Sequence, residues 1–209
     1  MSVLAVAPTP ADLFIGCAGT LARWKQGGRE VFVALPGAPE PQLEAAQEAA
    51  STTGVQLLEN DSSVERVVDE RSVRDALMDH IRRAEAEVLL TVAAAGDEGG
   101  ELPDVLFNAA YCATIPNYES PGGIGAIRVR APIRYFESPP GRDFVPTEYV
   151  DVSEHWSTKR DAVASFGNEA VETAEILARA RGIQSQVEFA EAFTSETVWG
   201  RIRSSRQLP

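Results

Sequence analysis

The side chains best suited to chemistry follow the first apolar run of the chain. The run SVLAVA, residues 2–7, predicts a buried strand, and Thr9 and Asp12 come directly after it at the start of a predicted helix. In a parallel α/β sheet, ligands usually bind at such a turn, outside the carboxyl end of the strand. A hydroxyl and a carboxylate are the polar groups that this corner offers, so we expect a binding site or the remains of one here.

A second group of polar side chains precedes a later helix. Its four carboxylates are Asp97, Glu98, Glu101 and Asp104. Together with Asp12 they offer the oxygen ligands that a hard divalent cation such as Mg²⁺ or Ca²⁺ prefers. The alternative, which we favour, is that the four are solvated loop residues and that Asp12 stabilises the helix N-terminus electrostatically.

Histidine and cysteine are scarce in this sequence. The chain has two of each, namely His80, His155, Cys17 and Cys112. A zinc site usually draws on several such residues at characteristic spacings, and no neighbours in this sequence provide them. We expect buried, reduced thiols, a helical His80, and a His155 that is either a surface residue or a ligand-binding one. Thr9 has no evident His or Lys partner that would activate it as a nucleophile.

The elements that position these residues alternate between strand and helix. Predicted strands lie at 2–7, 30–36, 55–59 and 86–94. Helices are predicted at 11–28 and 40–54, and a third carries the stripe Val73, Leu77 and Ile81. This alternation predicts an α/β protein, a Rossmann-like three-layer α/β/α sandwich with a mostly parallel sheet and right-handed crossovers.

Beyond residue 115 the sequence becomes rich in proline and glycine. We expect a loop-rich insertion at about 115–146, with β-like runs at 126–131 and 132–137, lying over one end of the sheet. Within it, Asn117 and Tyr118 are suited to holding a sugar or another polar small molecule. Ordinary loop packing is the alternative for both.

The last part of the chain predicts one more strand and two helices. The strand is expected at 147–153, and Ser153 is a candidate N-cap for the first helix. Asn168 is the candidate cap of the second helix, which we expect to stop at Gly182. Residues 187–196 are expected to be partly extended, and the whole chain, 1–209, is expected to form one domain.

Two glycines in the first helix raise the alternative of a dinucleotide site. Gly16 and Gly19 do not have the GxGxxG spacing and lie within the helix, not in the turn before it. We therefore expect them to allow close packing of the helix on the sheet.

The formal net charge of the 209-residue chain is −12. Nucleic acids and anionic membrane surfaces both need clustered Lys and Arg, so this charge disfavours them as partners. The basic group Arg201, Arg203 and Arg206 is expected to be a solvated tail. No apolar run approaches the ~20 residues of a membrane span, and no signal-peptide pattern is present, so we expect a cytoplasmic protein.

The motif pattern resembles the LmbE-like (PIG-L) N-deacetylases, zinc hydrolases that remove acetyl groups from amino sugars and similar amides. The family opens with a strand, a His-Pro-Asp-Asp-Glu turn and a Gly-Cys-Gly-Gly-Thr helix, and residues 3–28, VLAVAPTPADLFIGCAGTLARWKQGG, match that plan position by position. Later segments also resemble the family, including 43–55, 88–113, 116–121, 150–166 and 182–193. The resemblance implies the LmbE/PIG-L deacetylase fold and a homo-oligomer.

The resemblance places most of the family's functional positions on residues that cannot serve them. The first zinc-binding His falls on Thr9, the general-base Asp on Ala11 and the closing Glu on Leu13, while the second zinc ligand is kept as Asp12. An Arg that often grips substrate is replaced near residues 41–42.

In the second motif, His-x-x-His, the His that assists the transition state falls on Leu102 and the third zinc ligand falls on Val105. Catalytic zinc needs about three protein ligands and a bound water whose proton a neighbouring base accepts. We therefore expect no zinc and a catalytically inactive protein that binds a small polar, sugar-like ligand or acts as a subunit of an assembly. The alternative is an active amide hydrolase, or another hydrolase, with a rebuilt site around Asp12.

Overall fold

The structure, a computed structural model, describes residues 1–58, 70–93, 101–139, 141 and 144–196. Its strands are β1 (Ser2–Val6), β2 (Glu30–Ala34), β3 (Gln56–Leu57), β4 (Val88–Val92), β5 (Ile133–Phe136), β6 (Glu148–Asp151) and β7 (Ala190–Ser195). Its α-helices are α1 (Pro10–Gln26), α2 (Glu40–Thr53), α3 (Glu70–Arg83), α4 (Leu102–Cys112), α5 (Trp156–Ala164) and α6 (Asn168–Ser185). Among the described residues, no helix is long and apolar enough to cross a membrane.

Within the described residues, seven strands form one sheet in the order β3-β2-β1-β4-β5-β7-β6. Strands β3, β2, β1, β4 and β5 are parallel, whereas β7 is antiparallel to both of its neighbours. Val6, the last residue of β1, pairs with Ala34 of β2 and with Thr91 of β4. The predicted α/β class and mostly parallel sheet are confirmed.

Helices cover both faces of this sheet. Alternate residues of β1 pack in two different cores. Val3 and Ala5 lie in the core formed with α1, α2, α5 and α6. Leu4 and Val6 lie in the core formed with α3 and α4. This period of two is what a central strand buried on both faces requires. The predicted three-layer arrangement is confirmed.

Helix α1 lies unusually close to the sheet. A Cβ at Gly16 would lie 2.5 Å from the Phe136 ring, and one at Gly19 would lie 2.8 Å from Val152. Neither neighbour leaves room for a side chain. The prediction that these two glycines serve helix–sheet packing is therefore confirmed.

A buried ion pair connects α1 to the start of β7. Lys159 Nζ of α5 lies 2.7 Å from Glu191 Oε1 of β7, and both side chains are almost fully buried. The Glu191 carboxylate also accepts hydrogen bonds from the backbone N–H groups of Gly19 and Thr20, at 2.8 and 2.7 Å. Lys159 donates a second bond to the Ile15 carbonyl oxygen at 2.7 Å. The pair thus satisfies backbone groups in the middle of α1.

The sequence-based description of residues 115–146 differs from the structure. The run at 132–137 contributes β5, which pairs with β4 and β7 inside the sheet, whereas 126–131 forms no strand. Proline and glycine around the two β-like runs indicated an insertion over one end of the sheet, so the run at 132–137 was predicted but its place within the sheet was not. The short β5 sequence IRYF forms a strand because tertiary packing buries Ile133 and Phe136.

Three predicted helix boundaries are wrong. Ser153 does not cap a helix: its hydroxyl donates to Asp151 Oδ1 and accepts from the Phe189 N–H, and α5 begins only at Trp156. Asn168 is the first residue of α6, and Gly167, with φ 99°, is its N-cap. The helix continues through Gly182 to Ser185.

Gly182 stays inside α6 because the chain returns directly over it. A Cβ at this position would lie 2.5 Å from the Glu188 carbonyl oxygen and 2.7 Å from that of Val187. The glycine therefore marks a close backbone approach, and not the helix end.

Candidate functional site

The candidate corner lies where the order of the strands reverses. From β1 the chain passes through α1 to β2 on one side, and from β4 it passes through α4 to β5 on the other side. Helices α1 and α4 lie on opposite faces of the sheet. Such a topological switch point is the usual place for ligands in open α/β sheets.

The two polar side chains of the corner bind each other. Thr9 is the N-cap of α1, and its Oγ1 accepts a hydrogen bond from the Asp12 backbone N–H at 3.2 Å. The same hydroxyl donates to Asp12 Oδ2 at 2.7 Å. Both residues are half-buried. The arrangement satisfies one of the free N–H groups of the helix and places a carboxylate in its first turn, where the helix dipole favours negative charge.

The neighbouring motif positions carry apolar side chains that belong to the two cores. Ala11 is half-buried and packs against the core on the α1 face. Val105 is 3% exposed in the α3–α4 core, and Leu102, the first residue of α4, packs against the same core. The motif positions therefore offer one carboxylate and one hydroxyl, whereas a catalytic zinc site needs about three protein ligands.

The acidic residues before α4 are only partly described. Glu101 is the N-cap of α4 and Asp104 lies in its first turn; both are exposed. Asp97 and Glu98 lie outside the described residues. Within the described ranges, no three His, Cys, Asp or Glu side chains are grouped as a metal ion would require.

Two polar residues near this edge escaped the sequence analysis. Tyr135 of β5 pairs with Thr91 of β4, and Thr91 is fully buried. Burial raises the pKa of the Tyr135 hydroxyl, and the carboxylates of Glu196 and Asp104 raise it further. The single sequence signal for both was a hydroxyl within an apolar strand, and such residues are common in sheets.

Tyr118 is held by α3. Its hydroxyl lies 3.3 Å from Asp75 Oδ1 and accepts a short hydrogen bond from Arg74. Desolvation, followed by the charge of Asp75, raises the pKa of this hydroxyl. Asn117, next to it, is exposed. Contacts to α3 thus fix Tyr118, one of the two candidate ligand-binding residues.

A buried arginine organises the loop that carries Asn117 and Tyr118. Arg82 of α3 is 3% exposed. Its guanidinium donates to the five carbonyl oxygens of Cys112, Ala113, Ile115, Tyr118 and Ile124, at 2.8–3.2 Å. A planar group with five donors suits such a set of acceptors.

His155 is separated from Asp12 along α1. Its Nε2 lies 2.6 Å from Oε1 of Gln26, the last residue of α1. At 1.5 Å per residue, the backbone of Gln26 lies about 20 Å along the helix axis from that of Asp12. The structure therefore does not bring His155 to the corner.

The remaining His and Cys residues lie within helices. His80 is 7% exposed in α3. Cys17 is fully buried in α1 with its thiol 3.2 Å from the Leu13 carbonyl, and burial raises the pKa of this thiol. Both cysteines are free thiols, which agrees with their predicted reduced state, but Cys112 is only half-buried, so its predicted burial is wrong.

The fold is the feature that this chain shares with proteins of known structure. The architecture is that of the LmbE/PIG-L-type deacetylases, whose members are among the solved structures most similar to this one. Comparisons with models of known protein families and with curated protein sequences find no match.

Three solved structures illustrate the similarity. The 4-carboxy-2-hydroxymuconate hydratase GalB from Pseudomonas putida superimposes with a TM-score of 0.82 at 19% identity, over 100% of both chains. The conserved protein TT1542 from Thermus thermophilus has a TM-score of 0.74 at 23% identity, over 99% of this chain and 100% of its own. N,N'-diacetylchitobiose deacetylase from Pyrococcus horikoshii has a TM-score of 0.72 at 18% identity, over 93% of this chain and 83% of its own.

Proposed function

We propose that this chain is a catalytically inactive protein with the LmbE/PIG-L deacetylase fold. It binds a small polar, sugar-like ligand at the corner or serves as a subunit of a homo-oligomer, and it does so without zinc. The observation that carries the proposal is the mutual hydrogen bonding of Thr9 and Asp12. The carboxylate that remains at the corner stabilises α1, and the hydroxyl beside it is a poor zinc ligand.

The residues at the motif positions do not fit a zinc ion. A zinc hydrolase needs about three ligands, a metal-bound water and a base that accepts the proton of this water. Ala11 carries no base, and Val105 has no ligating atom and is committed to the core. These residue types support loss of the zinc-dependent reaction.

The first experiment measures the metal and the activity together. The purified chain is analysed for metals, titrated with zinc and assayed for deacetylation of N,N'-diacetylchitobiose and for hydration of 4-carboxy-2-hydroxymuconate. We expect no stoichiometric zinc and no turnover of either compound, with or without added zinc. Stoichiometric zinc binding accompanied by turnover would overturn the proposal.

A restored site provides the matched control. The triple variant Thr9→His, Ala11→Asp, Val105→His restores, beside Asp12, the zinc ligands and the general base that the LmbE-like family has at these positions. We expect this variant to bind zinc. The same variant with Asp12→Asn should bind zinc much more weakly. If neither binds zinc, the corner differs from a zinc site by more than these side chains.

The ligand and assembly roles need their own measurements. N-acetylglucosamine at millimolar concentration should raise the melting temperature of the chain, and Asp12→Asn should reduce that rise.

Light scattering after size exclusion should give a multiple of the 22.5 kDa chain mass. A monomer that does not respond to the sugar would contradict both roles.

A second candidate is a hydrolase with a rebuilt site around Asp12. The observation that favours it is the exposure of Glu101 and Asp104 at the start of α4, which follows the strand next to β1. Such carboxylates suit Mg²⁺ or Ca²⁺. Calorimetric titration with either ion, compared between the wild type and Asp104→Asn, tests this candidate.

A further inference from the structure

Helix α4 presents one straight line of exposed side chains, from its N-cap to the turn after its last residue. The line consists of Glu101, Asp104, Asn108, Tyr111 and Ile115. Their spacings of 3, 4, 3 and 4 residues keep the side chains on one face of a helix. All five are exposed, and Tyr111 and Ile115 are each 45% exposed. We call these five residues the α4 row.

The two ends of the α4 row differ in charge. Glu101 and Asp104 place two carboxylates at the start of the helix. At the other end, the Ile127 N–H donates to the carbonyl oxygen of Ala113, the residue directly after the helix, at 3.0 Å. This bond brings the next residue, the exposed Arg128, beside the end of α4. The α4 row is therefore acidic at its start and has a basic neighbour at its end.

An arginine and two aromatic rings form the second half of this surface. The Phe107 and Tyr111 ring centroids are 5.0 Å apart in an edge-to-face arrangement. The Arg130 guanidinium carbon lies 4.7 Å from the Tyr111 centroid and 5.4 Å from that of Phe107. A bidentate pair with Glu196, at 2.8 and 2.9 Å, holds this guanidinium over the rings. Tyrosine and arginine are enriched among the residues that dominate the binding energy of interfaces, and side chains that are already fixed lose less entropy on binding.

The charge pattern of the α4 row is complementary to itself. In an antiparallel pair of α4 helices with a two-fold axis at Asn108, the acidic start of each helix faces the basic end of the other. At 1.5 Å per residue, Asp104 lies about 6 Å from Asn108 along the helix axis, and Ala113 lies about 7.5 Å from it in the other direction. Asp104 of one copy is thus level with the partner's Ala113, beside which Arg128 lies. A two-fold contact requires this reciprocity.

Asn108 suits the position on the axis. A carboxamide carries both donors and an acceptor, so two copies of the same amide can bind each other across a two-fold axis. A single asparagine at a helix–helix contact is also a known means of fixing the register of the pair. Tyr111 lies about 4.5 Å along the helix from Asn108, which brings its ring beside the first turn of the partner's α4. The amide and the charges together favour a second copy as the occupant of this surface.

We propose that the α4 row binds a second copy of this chain, in an antiparallel α4–α4 pair around a two-fold axis at Asn108. Asp104 of each copy pairs with the partner's Arg128, and Tyr111 packs against the partner's α4. The contact places the partner's Arg128 next to the first turn of α4, at the edge of the switch-point corner. This inference rests on the subunit role under the proposed function, and it assigns that role to one surface.

Two charge-reversal variants test the contact, because neither variant can pair with itself. Asp104→Arg brings like positive charges together at both ends of the contact, and Arg128→Asp brings like negative charges together. In sedimentation velocity from 1 to 100 µM, we expect the wild type to form dimers and each variant alone to raise the dimer Kd about tenfold. An equimolar mixture of the two variants should restore dimers, since each mixed pair contains opposite charges at both ends. Glu172→Arg, which reverses an exposed charge on α6, is the matched control and should leave the Kd unchanged.

A cysteine on the axis gives a second test that does not depend on charge. Asn108→Cys, in a Cys112→Ala background, should form a disulfide-linked dimer on oxidation, because the axis brings the two side chains together. Glu172→Cys in the same background is the control and should not form this dimer.

The outcomes separate this contact from the subunit role in general. A wild type that is monomeric at 100 µM would overturn both. An oligomer whose Kd does not respond to Asp104→Arg, or a mixture of the two charge variants that stays monomeric while circular dichroism shows both folded, would overturn the α4 contact alone. If a charge variant does not fold, absence of the Asn108→Cys disulfide in a wild type that dimerises would overturn the contact.

Discussion

At the scale of single residues, Thr9 and Asp12 suit two different roles, and their residue types alone do not distinguish these roles. A hydroxyl and a carboxylate three residues apart suit a reactive corner, and they also suit the first turn of a helix. The observed bonds, from the Asp12 N–H to the Thr9 hydroxyl and from that hydroxyl to the carboxylate, assign them to the helix. The geometry of the pair thus establishes its role in capping α1, which its composition alone left open.

Removal of the cap should therefore affect stability. We expect Thr9→Ala to lower the free energy of unfolding by about 1 kcal/mol, because the Asp12 N–H loses its acceptor. Thr9→Ser keeps the hydroxyl and should cost much less. Urea unfolding followed by circular dichroism measures both variants. Equal stability of Thr9→Ala and the wild type would mean that water replaces the cap.

Asp151 makes a contribution to the free energy of unfolding that depends on pH, and the sign of this dependence follows from its pKa. Hydrogen bonds from the Ser153 hydroxyl and backbone N–H lower the pKa of its carboxyl group. A lowered pKa in the folded state gives stability that is present above the unfolded value, near 3.9, and is lost as the pH falls through the folded pKa.

Asp151→Asn should remove that part of the acid dependence. The wild type and the variant should differ most above pH 4 and converge at lower pH. Because this carboxylate is exposed, the difference should be small. Unfolding midpoints between pH 2 and 7 measure it. A difference that grows at low pH would contradict the assigned sign.

At the scale of elements, the sequence predicted those whose local pattern agrees with their surroundings. The apolar run of β1 and the stripe of α3 both form where the pattern places them. β5 was predicted as a β-like run within a loop-rich insertion, but its place inside the sheet was not, because that depends on pairing with β4 and β7, which no local window contains. Gly182 was taken for a helix end because its close neighbours, Val187 and Glu188, lie beyond it in the chain.

The candidate site was predictable in its place but not in its geometry. The switch point follows from the order of strands and helices, and the substituted motif positions follow from the family resemblance. The distance between His155 and Asp12 depends on the length and direction of α1, which spacing in the sequence does not give. The Lys159–Glu191 pair joins residues that are far apart in the chain, so no motif indicated it.

This buried pair should be a major determinant of how α1 is held. We expect Lys159→Met to lower the free energy of unfolding by about 3–5 kcal/mol, because it leaves a buried carboxylate without its counter-ion. The control is Arg179→Met, which removes an exposed ion pair to Glu175 and should cost less than about 1 kcal/mol. Chemical denaturation of both variants gives the comparison. A cost of Lys159→Met as small as that of the control would mean that Glu191 is stabilised by its backbone donors alone.

At the scale of the whole molecule, charge is the dominant surface property. The chain has 31 acidic and 19 basic residues. A net charge this far from zero destabilises the compact state by self-repulsion. Salt screens that repulsion and also weakens exposed ion pairs, but such pairs contribute less than about 1 kcal/mol each. Screening of the repulsion should therefore be the larger effect.

We expect the melting temperature at pH 7 to rise by about 2–4 °C when NaCl is increased from 10 to 200 mM, which corresponds to roughly 1 kcal/mol for a chain of this size. Near the isoelectric point of about 4.7 the rise should vanish, since the net charge is then zero. MgCl₂ at equal ionic strength should give the same rise as NaCl if Asp12, Glu101 and Asp104 bind no cation. A larger effect of Mg²⁺ that Asp12→Asn abolishes would instead place a cation site at the switch-point corner. Differential scanning calorimetry of the wild type and this variant in the two salts separates screening from binding.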